Sequence, residues 1–276
     1  MIHRRPLMLL PSHATSDGAG VRLARTIGTG ELDVLDPFLL LDHFHSDDGA
    51  DYIAGFPDHP HRGFETVTYM LAGAMLHRDN KGNEGHLRAG SVQWMTAGRG
   101  IVHSEMPQQE DGLMSGFQLW VNLPAALKMS EPRYQDIPPE DIPEVDRADG
   151  SRVRVIAGTL DGVTGPVEGI PVEPVYLDVA LPAGTSTELT LPAGHTAFAY
   201  CFEGTVDVGG TDVPAGTLAV LGPGDAVSLA AGDAPGRSLI VAGRPLHEPV
   251  TRYGPFVMNT KEEIIQAVKD YEAGRF

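Results

Sequence analysis

Residues 56–71 read Phe56-Pro57-Asp58-His59-Pro60-His61-Arg62-Gly63-Phe64-Glu65-Thr66-Val67-Thr68-Tyr69-Met70-Leu71. The stretch ends in a run of β-branched and aromatic residues, which is typical of a strand. Similar runs follow at Ser91–Met95 and Ser115–Val121. Most of the remaining chain also consists of short apolar runs separated by Gly, Pro, Asn and Asp. This pattern predicts an all-β protein built as a sandwich or barrel.

Two tripeptides place potential metal ligands at positions i and i+2: His59-Pro60-His61 and His103-Ser104-Glu105. If both segments are extended, the side chains of each pair leave the same face of their strand, because strand side chains alternate. Two adjacent antiparallel strands would then gather three imidazoles and one carboxylate around one ion. This donor set suits a divalent first-row metal such as iron, nickel, copper or zinc. The spacing therefore predicts a metalloprotein, and an oxidoreductase, whose ligands are His59, His61, His103 and Glu105.

Other polar residues near these tripeptides are less favoured as metal ligands. His43 and His45 form another i, i+2 pair, but no partner segment follows them, so we interpret them as surface or cavity-wall residues. His77 and Asp79 precede a predicted turn, where an exposed loop role is expected. Asp58 has two open interpretations: it orients a ligand histidine, or it serves in the turn before the strand.

The composition excludes several classes of protein. The formal net charge is −17 and the longest basic run is Arg4-Arg5, so the surface expected of a nucleic-acid-binding protein is missing. The same acidity argues against direct binding to anionic membranes. No apolar run approaches the ~18 residues of a membrane-spanning helix, and the N-terminal apolar run is broken by prolines and too short for a signal peptide. A cytoplasmic location is therefore expected.

Cys201 is the only cysteine. A single cysteine excludes an intrachain disulfide framework and a zinc site built from several cysteines. Its neighbours are Phe198-Ala199-Tyr200 and Phe202, so we predict a buried strand residue rather than a nucleophile.

A chain of 276 residues has room for two domains. Residues 131–150 contain four prolines and many acidic residues, which is typical of a linker or exposed strap. We therefore predict an N-terminal domain at 1–130, a linker at 131–150 and a C-terminal domain at 151–276. The second half repeats the rhythm of the first, and Gly194–Gly204 resembles the stretch after the first histidine pair. A duplicated β domain explains this rhythm, although the second copy keeps only His195.

One helix is predicted, from Thr260 to Gly274. Thr260 can cap its N-terminus, and Glu262 and Glu263 suit the first turn. The apolar stripe of this helix consists of Ile264, Ile265, Val268 and Tyr271. The helix either seals the N-terminal domain or faces a partner, and a monomer is expected.

Four stretches resemble a known family. They are Asp36–Asp42, the 56–71 stretch quoted above, Gln93-Trp94-Met95-Thr96-Ala97-Gly98-Arg99-Gly100-Ile101-Val102-His103-Ser104-Glu105, and Gly254–Thr260. Together they resemble the pirin family of the cupin superfamily, and they span nearly the whole chain. The resemblance implies two cupin-type β-sandwich (jelly-roll) domains, with one divalent metal ion in the N-terminal copy and a degenerate C-terminal copy. It also assigns the ligands to His59, His61, His103 and Glu105.

The resemblance further implies Fe(II) as the cofactor, whereas Ni, Cu, Mn or Zn would accept the same ligands. Pirin relatives are associated with quercetin 2,3-dioxygenase activity, in which a flavonol ring opens and carbon monoxide leaves. The chain is therefore expected to be an enzyme whose substrate is a small aromatic flavonol. Glu105 is expected to act as the catalytic base that accepts the flavonol proton. The alternative is a regulatory protein that acts through protein partners in response to the metal's redox state.

Pirins take their carboxylate ligand at the position of Glu105. Glu65, which falls where many cupins keep a glutamate ligand, is therefore expected to be a structural acid or an outer partner of the site. Several large apolar residues either line a cavity for a planar ligand or, as we favour for each, belong to the sandwich core. These residues are Phe56, Met70, Trp94, Met95, Phe117 and Trp120.

Overall fold

A computed structural model describes all 276 residues, and nearly all regular structure in it is strand. The first thirteen strands are β1 (Pro6–Pro11), β2 (His13–Asp17), β3 (Val21–Arg25), β4 (Phe38–Ser46), β5 (Phe56–His61), β6 (Phe64–Ala72), β7 (Ala74–Asp79), β8 (Glu84–Arg88), β9 (Val92–Thr96), β10 (Ile101–Pro107), β11 (Met114–Asn122), β12 (Arg133–Ile137) and β13 (Glu144–Asp146). The remaining elements are β14 (Arg152–Ala157), β15 (Thr159–Leu160), β16 (Val163–Thr164), β17 (Val175–Leu181), β18 (Ser186–Thr190), β19 (Thr196–Glu203), β20 (Thr205–Val208), β21 (Thr211–Pro214), β22 (Thr217–Leu221), β23 (Ala226–Ala231), β24 (Gly236–Gly243), β25 (Thr251–Tyr253), β26 (Phe256–Met258) and the helix α1 (Lys261–Glu272). The predicted all-β class is confirmed.

The chain forms two compact units, each assembled from two separate segments. One unit, called here the histidine unit because it contains both ligand tripeptides, consists of Ala14–Pro139 and Leu246–Phe276. The second unit consists of Met1–His13 and Glu140–Pro245.

The histidine unit is a sandwich of two antiparallel sheets. Its seven-stranded sheet has the order β12-β9-β6-β11-β4-β3-β2, and its four-stranded sheet has the order β5-β10-β7-β8. One hydrophobic cluster joins residues of both sheets, including Phe44 and Met70 from the larger sheet and Met75 and Leu87 from the smaller one. Burial of this apolar surface is the main force that holds the two sheets face to face.

The second unit repeats this plan. Its seven-stranded sheet has the order β1-β22-β19-β24-β17-β14-β13, and its four-stranded sheet has the order β18-β23-β20-β21. The matching strand orders confirm the predicted duplication at the level of topology. Strands β18 and β23 occupy the sheet positions of β5 and β10, and neither contains a histidine. Cys201 is fully buried in the apolar cluster of this unit, as predicted.

The predicted domain boundaries differ from the units at three places. β1 pairs with β22 and so belongs to the second unit, whereas the C-terminal segment that contains α1 belongs to the histidine unit. The predicted linker at 131–150 is also structured, because β12 pairs with β9 and β13 pairs with β14. These short strands lie at or near sheet edges and bury few residues, so their polar composition resembles that of a linker.

The predicted helix is confirmed, with a capping box formed by Thr260 and Glu263. Its buried face differs from the predicted stripe: Ile264 and Ala267 are buried, whereas Ile265 is exposed. Ala267 packs with Phe256 of β26, so a small residue marks the closest approach of the helix to the unit. No helix of the structure combines the length and the apolar character needed to cross a membrane.

Candidate metal centre

Strands β5 and β10 lie side by side and bring the two ligand tripeptides together. They pair antiparallel, with His103 opposite His59 and Ile101 opposite His61. The ring centroid of His103 lies 4.3 Å from that of His59 and 4.8 Å from that of His61. One potential donor atom from each of the three histidines lies within 4.8 Å of the others. The sequence therefore identified three side chains that converge.

The ring nitrogens of these histidines are arranged as metal ligands require. Nδ1 of His59 lies 2.8 Å from the carbonyl oxygen of Pro57 and donates to it, which leaves Nε2 as the lone-pair nitrogen. That Nε2 lies 3.0 Å from Nε2 of His61, and Nε2 of His103 is buried without any hydrogen-bond partner. Buried polar atoms are rarely left unpaired. A cation held between these nitrogens would satisfy them, so the donor set fits a divalent first-row metal.

Burial keeps the inner imidazoles neutral. It lowers the pKa of His61 and of His103 well below the ordinary value of 6.5, and the neighbouring imidazoles lower both further. A neutral imidazole is the form that binds a metal. A cation could therefore bind without displacing a proton from a charged form of His61 or His103.

Glu105 is close to this cluster but engaged elsewhere. It is buried on β10 and lies in the same cavity as His59 and His61. Its carboxylate accepts hydrogen bonds from Thr68 Oγ1 at 2.8 Å and Gln118 Nε2 at 3.1 Å. It is not one of the three residues whose donor atoms lie within 4.8 Å of one another.

The two partners of Glu105 belong to a polar row that crosses the larger sheet. Thr68 lies opposite Gln118, Gln118 lies opposite Asp42, and Asp42 lies opposite Arg25. Arg25 donates to both carboxylate oxygens of Asp42, at 2.7 Å each. Burial raises the pKa of Asp42 to about 6, and the bonds from Arg25 oppose that rise. All four residues of this row line the same cavity as His59 and His61.

His77 was predicted to be an exposed loop residue, and this is wrong. It lies buried on β7, where it is opposite Glu105, and its Nδ1 is 3.4 Å from Nδ1 of His103. Its Nε2 is 3.1 Å from the hydroxyl of Tyr134, which in turn hydrogen-bonds Asp79. Since burial lowers the pKa of His77, its ring is neutral and accepts at Nδ1 while donating at Nε2. A continuous chain of hydrogen bonds therefore runs from His103 to the Asp79 carboxylate.

A cavity of about 600 Å³ opens beside the histidines, within the range of small-molecule sites. Its polar lining includes Asp58, His59, His61, Glu105 and the polar row. The large apolar side chains of its lining are Leu23, Leu40, Phe44, Phe56, Met75 and Trp120. Of the six large residues considered from the sequence, Phe56 and Trp120 line this cavity. The other four, Met70, Trp94, Met95 and Phe117, are buried in the core.

Two family models match the chain. The Pirin model matches residues 20–121, and the Pirin C-terminal cupin domain model matches residues 176–276. A pirin-like protein of Caulobacter vibrioides is 52% identical over 275 residues, which is 99% of each chain. The chain belongs to the pirin family.

Solved structures agree with the assignment of this chain to the pirin family. Quercetin 2,3-dioxygenase from Acinetobacter baumannii has a TM-score of 0.91 and 36% identity to the chain, covering 99% of it and 98% of that protein. The bacterial pirin YhhW from Escherichia coli, solved in complex with nickel(II), has the same fold at a TM-score of 0.67 and 20% identity, covering 86% and 98%. The two-domain cupin-type fold implied by the sequence resemblance is confirmed.

In this pirin, Glu65 belongs neither to the three-histidine cluster nor to the lining of the cavity, and it acts as a structural acid. Its carboxylate accepts hydrogen bonds from Trp94 Nε1 at 3.1 Å and Thr96 Oγ1 at 2.7 Å, inside the larger sheet. Burial raises its pKa to about 7. The other histidine pair lies on β4, away from the three clustered histidines: His43 stacks on Phe117 and His45 is exposed.

Sequence reasoning missed several residues of the pirin site. Arg25 and Arg252 line the cavity from strands that are far apart in sequence, and Tyr134 lies in the segment assigned to a linker. Asp42 ends one of the stretches that resemble pirins, and this was the one available signal for the polar row. Asp58 is exposed, and Pro57 provides the oxygen that orients His59.

Proposed function

We propose that this pirin is a metal-dependent dioxygenase that opens the ring of flavonols such as quercetin, with loss of carbon monoxide. The observation that carries the proposal is a three-histidine cluster at the edge of a 600 Å³ cavity with aromatic walls. The 36% identical quercetin 2,3-dioxygenase of Acinetobacter baumannii supports the same reaction. His59, His61, His103 and Glu105 are the proposed ligands, and Fe(II) is the proposed metal.

When bound, the metal supplies a Lewis acid for the enolic oxygens and the redox capacity that dioxygen chemistry needs. The side chains of the cavity do the rest. Phe44, Phe56 and Trp120 give flat apolar surfaces that fit a planar flavonol and displace water from it.

Glu105 has the proposed second role of proton acceptor. Its carboxylate is held by Thr68 and Gln118, so its orientation is fixed before a substrate enters. As one of the proposed ligands, this carboxylate would lie within reach of the enolic proton of a flavonol bound at the same site.

Turnover tests the proposal directly. Protein loaded anaerobically with Fe(II) is mixed with quercetin and then exposed to air. We expect the flavonol absorbance to bleach and carbon monoxide to appear in equal amounts, because the ring carbon leaves as that gas.

Two controls accompany this experiment. Metal-free protein should leave quercetin unchanged, and the Glu105→Gln variant should keep its fold but lose most turnover, because its amide does not accept the proton. Full turnover by this variant would remove Glu105 as the base. If the Fe(II) protein leaves quercetin untouched, the dioxygenase proposal is wrong and regulation through a protein partner becomes the function to test.

The hydrogen-bond chain behind His103 leads to a further prediction, for Tyr134→Phe. Removing this hydroxyl separates His77 from Asp79, so the acceptor that orients His103 is less firmly fixed. Loss of such an outer partner typically lowers metal affinity by about 10–100-fold. Competition with a chelator should show a loss of about tenfold. Tyr271→Phe, which changes a partly exposed tyrosine on α1, is the matched control and should bind metal like the wild type. Equal affinities for the two variants would contradict the prediction.

A further inference from the structure

Arg252 is a cation in the cavity wall without an anionic partner. It lies on β25 and donates to the carbonyl oxygens of Leu39 and Gly254, both at 3.3 Å. Its guanidinium carbon lies 4.8 Å from the ring centroid of Trp120, in cation–π contact. No carboxylate lies within ion-pair distance of it. Burial and the nearby Arg25 lower the pKa of Arg252, and the carboxylates of Asp33, Asp42 and Asp17, none of them at ion-pair distance, offset that shift only in part.

Arg25, the other arginine of the cavity wall, is a cation with carboxylate partners. Arg25 is held by both oxygens of Asp42 and by Asp17, each at 2.7 Å. These two carboxylates are therefore already committed. Glu105 is likewise held by Thr68 and Gln118. Arg252 is half-buried. Charges that are largely removed from water are normally paired, so the ion pair that Arg252 lacks points to an anionic ligand.

Trp120 connects this unpaired cation with the candidate metal centre. Its ring centroid lies 5.2 Å from that of His61, and the guanidinium of Arg252 covers the same indole. A planar ligand that presents its enolic oxygens to the histidines and packs along Trp120 therefore places another part of itself beside Arg252.

We propose that Arg252 is the counter-ion for a second acidic group of the substrate. The preferred ligands of this cavity are then planar aromatic molecules with a phenolate or carboxylate, in addition to the oxygens that face the histidines. A guanidinium suits this role because it stays charged and offers paired donors to an oxyanion. The inference rests on the proposed function in one respect only, namely that the same cavity holds the substrate.

Equilibrium binding to the anaerobic Fe(II) protein tests this without turnover. The probes are 3-hydroxyflavone and two analogues that have a carboxylate on one or the other outer ring. We expect at least one carboxylated probe to bind the wild type about tenfold to a hundredfold more tightly than 3-hydroxyflavone, the range for hydrogen bonds to charged groups. Arg252→Gln should remove that preference and leave the affinity for 3-hydroxyflavone within about twofold of the wild type, as expected for a change that spares the apolar contacts.

Two further variants make the result specific. Arg252→Lys keeps the charge without the paired donors and should retain part of the preference. Arg22→Gln changes an arginine that is 74% exposed and outside the cavity wall, and it should behave like the wild type. The proposal is overturned if the wild type prefers neither carboxylated probe, a result that does not depend on any variant folding. It is also overturned if Arg252→Gln keeps the preference.

Quercetin turnover is measured separately on the same samples. A protein that prefers the carboxylated probes but does not bleach quercetin would contradict the proposed reaction and leave the anionic subsite standing. A protein that turns over quercetin but shows no preference for carboxylated probes that depends on Arg252 would support the proposed reaction and contradict the anionic subsite.

Discussion

Replacing His103 by alanine is expected to lower the affinity for a divalent metal by more than about a hundredfold, since loss of an outer partner alone typically costs 10–100-fold. His103 faces His59 across β5 and β10, and its buried Nε2 has no other partner in the protein. His77 contacts the other ring nitrogen of His103, Nδ1, so it does not satisfy this Nε2. Elemental analysis after dialysis should find about one metal ion per chain in the wild type, as three converging histidines imply, and almost none in the variant.

Two comparisons separate loss of the metal from loss of the fold. His86→Ala removes a histidine that is 71% exposed on β8 and should keep the metal. His103→Gln fills the buried space better than alanine and should keep the thermal midpoint closer to that of the wild type while still losing the metal. Retention of a full equivalent of metal by both His103 variants would show that the site lies elsewhere.

Gly63→Ala is expected to destabilise the histidine unit severely. Gly63 joins β5 to β6 two residues after His61, and its φ is +89°. A Cβ at this position would lie 2.0 Å from the carbonyl oxygen of Val257. Lys128 Nζ holds both backbone segments in place, because it donates to the carbonyl oxygens of Gly63 at 2.8 Å and Val257 at 3.0 Å. The chain has little room to move away from the clash.

The cost has two parts. A positive φ costs an alanine about 1–2 kcal/mol, and overpacking adds about 1–3 kcal/mol or more. For a unit of this size, each kcal/mol lowers the thermal midpoint by about 2–4 °C, so we expect a fall of roughly 10 °C by calorimetry. Metal affinity should fall as well, because His61 is displaced with the turn.

Gly82→Ala is the matched control for this prediction. Gly82 has a nearly equal φ of +91°, but nothing lies within 4 Å of the position its Cβ would take. The Gly82→Ala variant is destabilised only by the positive φ of its backbone, so its thermal midpoint should fall by a few degrees and its metal affinity should not change. If the Gly63→Ala and Gly82→Ala variants have the same thermal midpoint, the close approach of Val257 to Gly63 does not destabilise the alanine variant, and the prediction is wrong.

The convergence of His59, His61 and His103 could be predicted because two local rules act on these residues. Side chains at i and i+2 share a face of any strand, so His59 and His61 point together wherever β5 lies. The turn-rich segment before His103 made an antiparallel neighbour the natural arrangement, and the observed pairing of His103 with His59 follows it. The capping box of α1 was predictable for the same reason, since Thr260 and Glu263 are three residues apart.

Other features could not be derived from local patterns. His77 precedes a turn and looks exposed, yet the sheet buries it behind His103. Strand β12 has the composition of a linker, and only its pairing with β9 brings Tyr134 to that histidine. Of the predicted apolar stripe of α1, Ile264 is buried and Val268 packs against the same cluster, but Ile265 is exposed and Ala267, which was not predicted, is buried with Phe256.

By itself, the sequence determined the all-β class, the duplication, the terminal helix and the three histidines that converge. Each of these depends on residue spacing within one element or between neighbouring strands, which backbone geometry translates directly into space. Only the tertiary structure shows the cavity, the polar row from Arg25 to Thr68 and the lack of an ion pair at Arg252. It alone also shows that β1 belongs to the second unit and α1 to the histidine unit. These features join segments that are as much as about 200 residues or more apart in the sequence. Their positions follow from which sheet faces pack together to bury apolar surface.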